Sequence, residues 1–248
     1  MAPDLQRSKT PRMDTLIRRH PLQKLQSPSR GVSALLHSAG LASFSYSFNW
    51  LSTHPNHINR AYGWHFQYLT IIGLTLATAT FILGLLADLT LSPRLFAAKN
   101  VLSMCSAPME VLVSTLYWGL RAIDPQLVVP KELELPLPAD VSFHLTPSAL
   151  LLVDLLLFSP PWTITVLPAI LLSTVIAFLY WFWIELCYSY NGFYPYPLFG
   201  MLDQTQRAGL FGLSAVVMAG NTVMLKWLYS YLHGFQKTGS ERPGKVKN

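Results

Sequence analysis

Six apolar stretches of 18 to 27 residues alternate with short polar ones along the chain, at 31–51, 66–87, 100–120, 141–158, 162–188 and 208–232. Each is about as long as the ~20 residues an α-helix needs to cross the apolar core of a bilayer. The first is rich in Ser, Ala and Gly, and Ser159-Pro160-Pro161 closes the fourth. The connections are short, so the six helices are expected to pack as one bundle over residues 31–234. No repeat of the inverted-transporter kind is visible.

Composition points the same way. Only 12% of the 248 residues are charged, 51% are hydrophobic and the mean hydropathy is +0.34. Soluble domains carry about 25% charged residues. The net charge of +6 does not indicate a nucleic-acid binder, because the Lys and Arg residues gather at the two chain ends and not in one patch. Cys105 and Cys187 fall in apolar stretches and imply neither a disulfide framework nor a metal site.

The basic residues fix an orientation. With the N-terminus in the cytosol, thirteen Lys and Arg lie on the cytosolic side and four on the other, with Lys226 inside the sixth helix. This is the positive-inside pattern. The expected architecture is therefore an all-α integral membrane protein, six transmembrane helices with both termini cytosolic. Residues 1–30 and 235–248 read as basic tails, the first too polar and too rich in proline to hold a core. Trp50, Trp118, Tyr188 and Tyr190 fall at outer helix ends, and Trp162, Tyr229 and Tyr231 at inner ones, as interfacial anchors do.

Ionisable groups inside spans are costly and point to function by default. His37, Glu110, Asp154, Glu185 and Lys226 are such groups. The topology brings Thr70, His144 and Glu185 to one level near the outer face, and Glu110 and Asp154 deeper, where hydrogen bonding is the expected role. Lys226 reads as a snorkelling side chain. Thr70 shares a helical face with Gly73, Ala77, Thr80 and Gly84, small residues of the kind that pack against other helices. His144 precedes Thr146-Pro147, which resembles a helix start. Pro147 to Phe158 would span only ~18 Å. Either the helix begins near Asp140 and Pro147 kinks it, or His144 lies on irregular backbone lining a cavity. Both turn the imidazole inward.

A threonine hydroxyl becomes a nucleophile when a base takes its proton, and histidine is the usual base. A Thr70–His144 pair could open an ester through an acyl-threonine. Backbone N–H groups near residues 146–149 are candidate oxyanion donors, and Glu185 is a candidate to orient the imidazole. No His/Glu pair has metal-ligand spacing on a helix, so neither metal nor cofactor is expected.

The strings Tyr62-Gly63-Trp64, Tyr68-Leu69-Thr70, His144-Leu145-Thr146-Pro147 and Tyr194-Pro195-Tyr196-Pro197-Leu198 resemble the androgen-induced protein family over about residues 31–234. The chain departs from it in a basic N-terminal extension and a shorter run between the second and third spans. That family consists of multipass membrane proteins, some of which hydrolyse fatty acid esters of hydroxy fatty acids with an intramembrane threonine and histidine. The resemblance assigns those roles to Thr70 and His144, with Glu185, Asp154 and Glu110 as supporting candidates. It implies a lipid ester substrate entering from the bilayer, in endoplasmic reticulum, other endomembranes or plasma membrane, with no nucleic-acid partner. The alternative is a non-catalytic lipid-binding or signalling membrane protein with the same bundle.

Overall fold

The computed structural model describes residues 20 and 22–234, and in these every regular element is helical. The helices are α1 (Val32–Thr53), α2 (Leu69–Thr90), α3 (Pro93–Ile123), α4 (Leu137–His144), α5 (Thr146–Val153), α6 (Val166–Asn191), α7 (Pro197–Met201) and α8 (Gln204–His233). Helices α2, α3, α6 and α8 are long and apolar enough to cross a membrane. The bent pair α4 and Thr146–Phe158, 45° apart, makes a fifth if counted as one span. With 22 residues α1 is long enough but falls below those five in hydropathy, because Ser, His, Asn and Gly interrupt its apolar run. Six spans are thus not established by length and composition.

The fourth expected span is the one whose course changes. Its helix begins at Leu137, breaks at Leu145, restarts at Thr146-Pro147 and widens into a π-turn over Asp154–Phe158. Proline in the first turn of α5 suits a restart, since its missing N–H has no partner to lose there. The break leaves His144 as the last residue of α4, buried. Asp154 opens the π-turn in ordinary α-helical geometry and is fully buried.

The small-residue face of α2 is buried against α1 and α3 as expected. A Cβ on Gly84 would meet His37 Nε2 at 2.4 Å, and one on Gly73 would meet Glu110 Oε1 at 2.6 Å. Glycine at these two positions lets polar side chains of neighbouring helices reach the α2 backbone.

Helix α3 starts seven residues before the third expected span, capped by Ser92, with Pro93 at its first position. Lys99 is therefore no loop cation: it is fully buried. Its Nζ donates to Asp154 Oδ1 and Oδ2 at 2.9 and 2.7 Å and to Ser159 Oγ at 2.9 Å. Asp154 pairs with Lys99 and not with Lys226, whose ammonium donates to the Ile164 carbonyl. His37 lies between two carboxylates. Its Nδ1 is 2.7 Å from Asp88 Oδ2, and its Nε2 is 3.3 Å from Asp154 Oδ1 but off a hydrogen-bonding line. Residues 22–30 close over this cluster, Ser29 N–H donating to Asp88 Oδ1 at 2.8 Å. Tyr229 belongs to this closure, and Trp162 lies in the same hydrophobic core. Both are buried, and the Tyr229 hydroxyl donates to the Leu22 and Ser159 carbonyls. The expected basic tails otherwise fall on residues 1–19, 21 and 235–248, outside the described residues.

Breaking a buried ion pair by removing one partner costs about 3–5 kcal/mol, because the other charge stays buried. Lys99→Met is expected to lower the unfolding midpoint in detergent by an amount of that order. An unchanged midpoint would show that the Asp154 carboxylate does not depend on the ammonium.

Candidate active site

Thr70 is the second residue of α2. A 3₁₀ turn, Trp64–Gln67, leads into the helix from Gly63, whose φ of +83° is open to glycine. Four other threonines of α2, Thr75, Thr78, Thr80 and Thr90, donate their hydroxyls to the carbonyl four residues back, at 2.6 to 2.8 Å. Thr70 does not. Its fourth residue back is Phe66, outside the helix, whose carbonyl accepts from Trp183 Nε1 at 3.0 Å. The habitual backbone hydrogen bond of a helical threonine is thus not made by Thr70.

Two cavities meet at Thr70. One, of about 140 Å³, is apolar and runs between α3, α6 and α8 past Leu116, Ile176, Phe211 and Met218. The other, of about 100 Å³, lies under the loop at residues 128–135 and is lined by His65, Phe143 and His144. Thr70, Tyr117, Val128 and Tyr196 line both.

Asp140 sits one turn before His144 on α4, and its side chain is 1% exposed. His144 Nδ1 lies 2.9 Å from Asp140 Oδ1 and 3.1 Å from the Asp140 carbonyl. Both partners are acceptors, so Nδ1 carries the proton and Nε2 holds a free lone pair. The imidazole stacks on Tyr117, centroids 3.4 Å apart and planes 3° from parallel. Arg121 closes the arrangement, with NH1 3.4 Å from Asp140 Oδ2 and 3.0 Å from the Tyr117 hydroxyl, to which it donates. Ser114 donates to the His144 carbonyl and shares a 2.7 Å hydrogen bond with Ser148. A threonine hydroxyl and an imidazole with a basic nitrogen therefore line one cavity, and a carboxylate outside its lining fixes the tautomer of the imidazole.

His65 lines the same cavity, but burial pulls its imidazole down to about 4. It is a weak base at neutral pH, and its Nε2 faces Asn59 Oδ1 at 3.3 Å.

The other candidates lie elsewhere. Glu185 does not reach His144: it accepts from Trp181 Nε1 and the Tyr194 hydroxyl and pairs with Arg207 at 3.3 Å. The place beside His144 Nδ1 expected for Glu185 is held by Asp140. Asp154 is bound to Lys99 at the other end of the bundle. Glu110 is fully buried against Gly73, both carboxyl oxygens without a hydrogen-bond partner among the described residues. Asp140 was the residue missed. The signal was present as an Asp and a His four apart, the spacing that faces two side chains on one helix.

The profile of the family described as FAR-17a/AIG1-like protein matches residues 32–230. A Schizosaccharomyces pombe protein described as a UPF0641 membrane protein is 35% identical over 208 residues, covering 83% of this chain and 93% of its own. No solved structure matches.

Proposed function

The chain belongs to the FAR-17a/AIG1-like family of membrane proteins, and on that footing we propose that it is an intramembrane lipid esterase with Thr70 as nucleophile, His144 as base and Asp140 as the group that orients the base. The observation carrying this reading is that Thr70, whose hydroxyl makes no backbone hydrogen bond, and His144, held at Nδ1 by Asp140, line one cavity. The substrate class is a fatty acid ester of a hydroxy fatty acid or a similar long-chain ester. The apolar cavity beside Thr70 supports it, since it offers an acyl chain a lining almost without polar groups.

The chemistry divides into two halves. Thr70 Oγ attacks the ester carbonyl carbon while its proton passes to His144 Nε2. The tetrahedral intermediate collapses, the alcohol C–O bond breaks, and His144 returns the proton to the departing oxygen. Water then attacks the acyl-threonine with His144 again taking the proton, and Thr70 leaves with it, releasing the fatty acid. Throughout, Asp140 holds the imidazole and faces the positive charge it acquires.

The test uses purified full-length protein with a fluorophosphonate and with a palmitoyl ester of hydroxystearic acid. Ester cleavage and an adduct on the peptide holding Thr70 are expected. Binding of the ester without cleavage or adduct would favour the non-catalytic lipid-binding reading, which the apolar cavity also fits.

The same reading includes six spans, α1 being the additional one, with both termini cytosolic. In sealed vesicles, tags at both ends should be cut by protease added to the cytosolic face. Protection of either tag would overturn that topology.

A further inference from the structure

Tyr196 is the residue in which the two cavities and the α2 N-terminus come together. It stands just before α7 in the turn Tyr194-Pro195-Tyr196-Pro197, in extended conformation at φ −111° and ψ 128°. Its ring packs edge-on to Tyr68 and Phe199, centroids 5.4 and 5.5 Å away. Its side chain lines both cavities together with Thr70, and its phenol lies near enough to the Thr70 hydroxyl, the Leu69 and Thr70 N–H groups and the Tyr180 hydroxyl for these to act on it. No side chain caps α2, so these first N–H groups have no partner within the helix. Leu69 N–H donates to the Tyr180 hydroxyl at 3.1 Å, and Tyr180 in turn donates to the Gln67 carbonyl at 3.0 Å. Tyr180 has thus spent its proton, whereas Tyr196 has not.

An oxygen atom beside the Thr70 hydroxyl and the Thr70 N–H stands where a developing oxyanion would stand. The donors foreseen at residues 146–149 are less free: Ala149 N–H already donates to the Leu145 carbonyl at 3.1 Å. We propose that Tyr196 is a catalytic residue whose O–H, with the backbone N–H of Thr70, binds the oxyanion of the tetrahedral intermediate. This rests on the reading in which Thr70 is the nucleophile. As the Thr70 Oγ–carbon bond forms, the carbonyl π pair moves onto oxygen. That oxygen takes the Thr70 N–H from the resting phenol, and the phenol turns its proton to it. When the alcohol leaves, the pair returns to the carbonyl and the phenol keeps its proton. Burial pushes the Tyr196 phenol above its ordinary value, so it carries its proton at neutral pH.

The experiment compares the wild type with Tyr196→Phe and Tyr194→Phe in ester hydrolysis, fluorophosphonate labelling rate and thermal unfolding. Tyr194 belongs to the same turn, but its hydroxyl donates to Glu185. Removing one oxyanion donor costs roughly 10²–10³ in kcat. Tyr196→Phe should lose kcat on that scale, and phosphonylation should slow with it, while KM, the melting temperature and Tyr194→Phe stay close to wild type. Difluorotyrosine at position 196 keeps the ring and lowers the phenol pKa, so the alkaline limb of the rate profile should move to lower pH. It serves where the Phe variant fails to fold. Wild-type kcat in Tyr196→Phe alongside an inactive Thr70→Ala overturns the role of Tyr196 and leaves the esterase reading standing. A raised KM with unchanged kcat, or an unmoved alkaline limb, also overturns it. No hydrolysis and no labelling in the wild type overturn both.

Discussion

Thr70→Ala is expected to abolish ester hydrolysis and fluorophosphonate labelling while lowering stability by about 1 kcal/mol, the centre of the range for single substitutions. The small structural cost follows from the lack of a backbone hydrogen bond to the Thr70 hydroxyl, a bond that the other four threonines of α2 do make. Thr70→Ser keeps the oxygen and removes a methyl group, so part of the activity should survive. His144→Gln keeps a hydrogen-bonding side chain that cannot take and return a proton, so it should be inactive. Residues acting as one unit lose activity non-additively, and the double variant should be no worse than the worse single one. Hydrolysis by Thr70→Ala at the wild-type rate would mean that the nucleophile lies elsewhere. Ser142, which donates to the Ala139 carbonyl, and Ser148 would be the next hydroxyls to test.

The second large effect belongs to Asp140. An Asn at this position can turn its NH₂ toward His144 Nδ1, which would then have to accept. The ring proton moves to Nε2, and the atom that should take the Thr70 proton already carries one. In serine proteases the equivalent change lowers kcat by about 10⁴ with the geometry intact. Asp140→Asn is expected to lower kcat by roughly 10³–10⁴, with KM little altered. Arg121→Met should do much less: it removes a partly exposed cation 3.4 Å from the carboxylate and leaves the Nδ1 contact in place. Equal losses in the two variants would assign Asp140 to pairing Arg121 and not to orienting the base.

Much of this arrangement was legible in the order of residues, because helical spacing and hydropathy are local. The buried face Thr70, Gly73, Ala77, Thr80 and Gly84 follows from periodicity alone. So does the inward turn of His144, since Thr146-Pro147 cannot continue an unbroken helix. Pairings between distant elements were not legible. Lys99 read as a loop cation because the apolar run of the third span begins after it, yet Ser92 and Pro93 start the helix earlier and carry it inside. Its partner Asp154 is 55 positions away, on another helix. Asp140 stands just before the apolar stretch at 141–158, so hydropathy does not mark it as an ionisable group inside a span. The contact of Tyr196 with Thr70 depends on the loop after α6 folding back across the bundle. Composition constrains such a loop weakly.

The buried Lys99–Asp154 pair bears on how the protein is made. An ammonium or a carboxylate entering lipid alone is expensive, and each becomes tolerable only with its partner. The two lie on α3 and on the segment after α5, whose synthesis is separated by the whole of residues 100–153. Helix α3 therefore carries a cation without its partner when it first emerges, although its length and hydropathy suffice for a span. Staying beside the insertion machinery until residue 154 arrives would spare it that cost. The helices would then be released to the bilayer as a group, with Lys99 and Asp154 already joined.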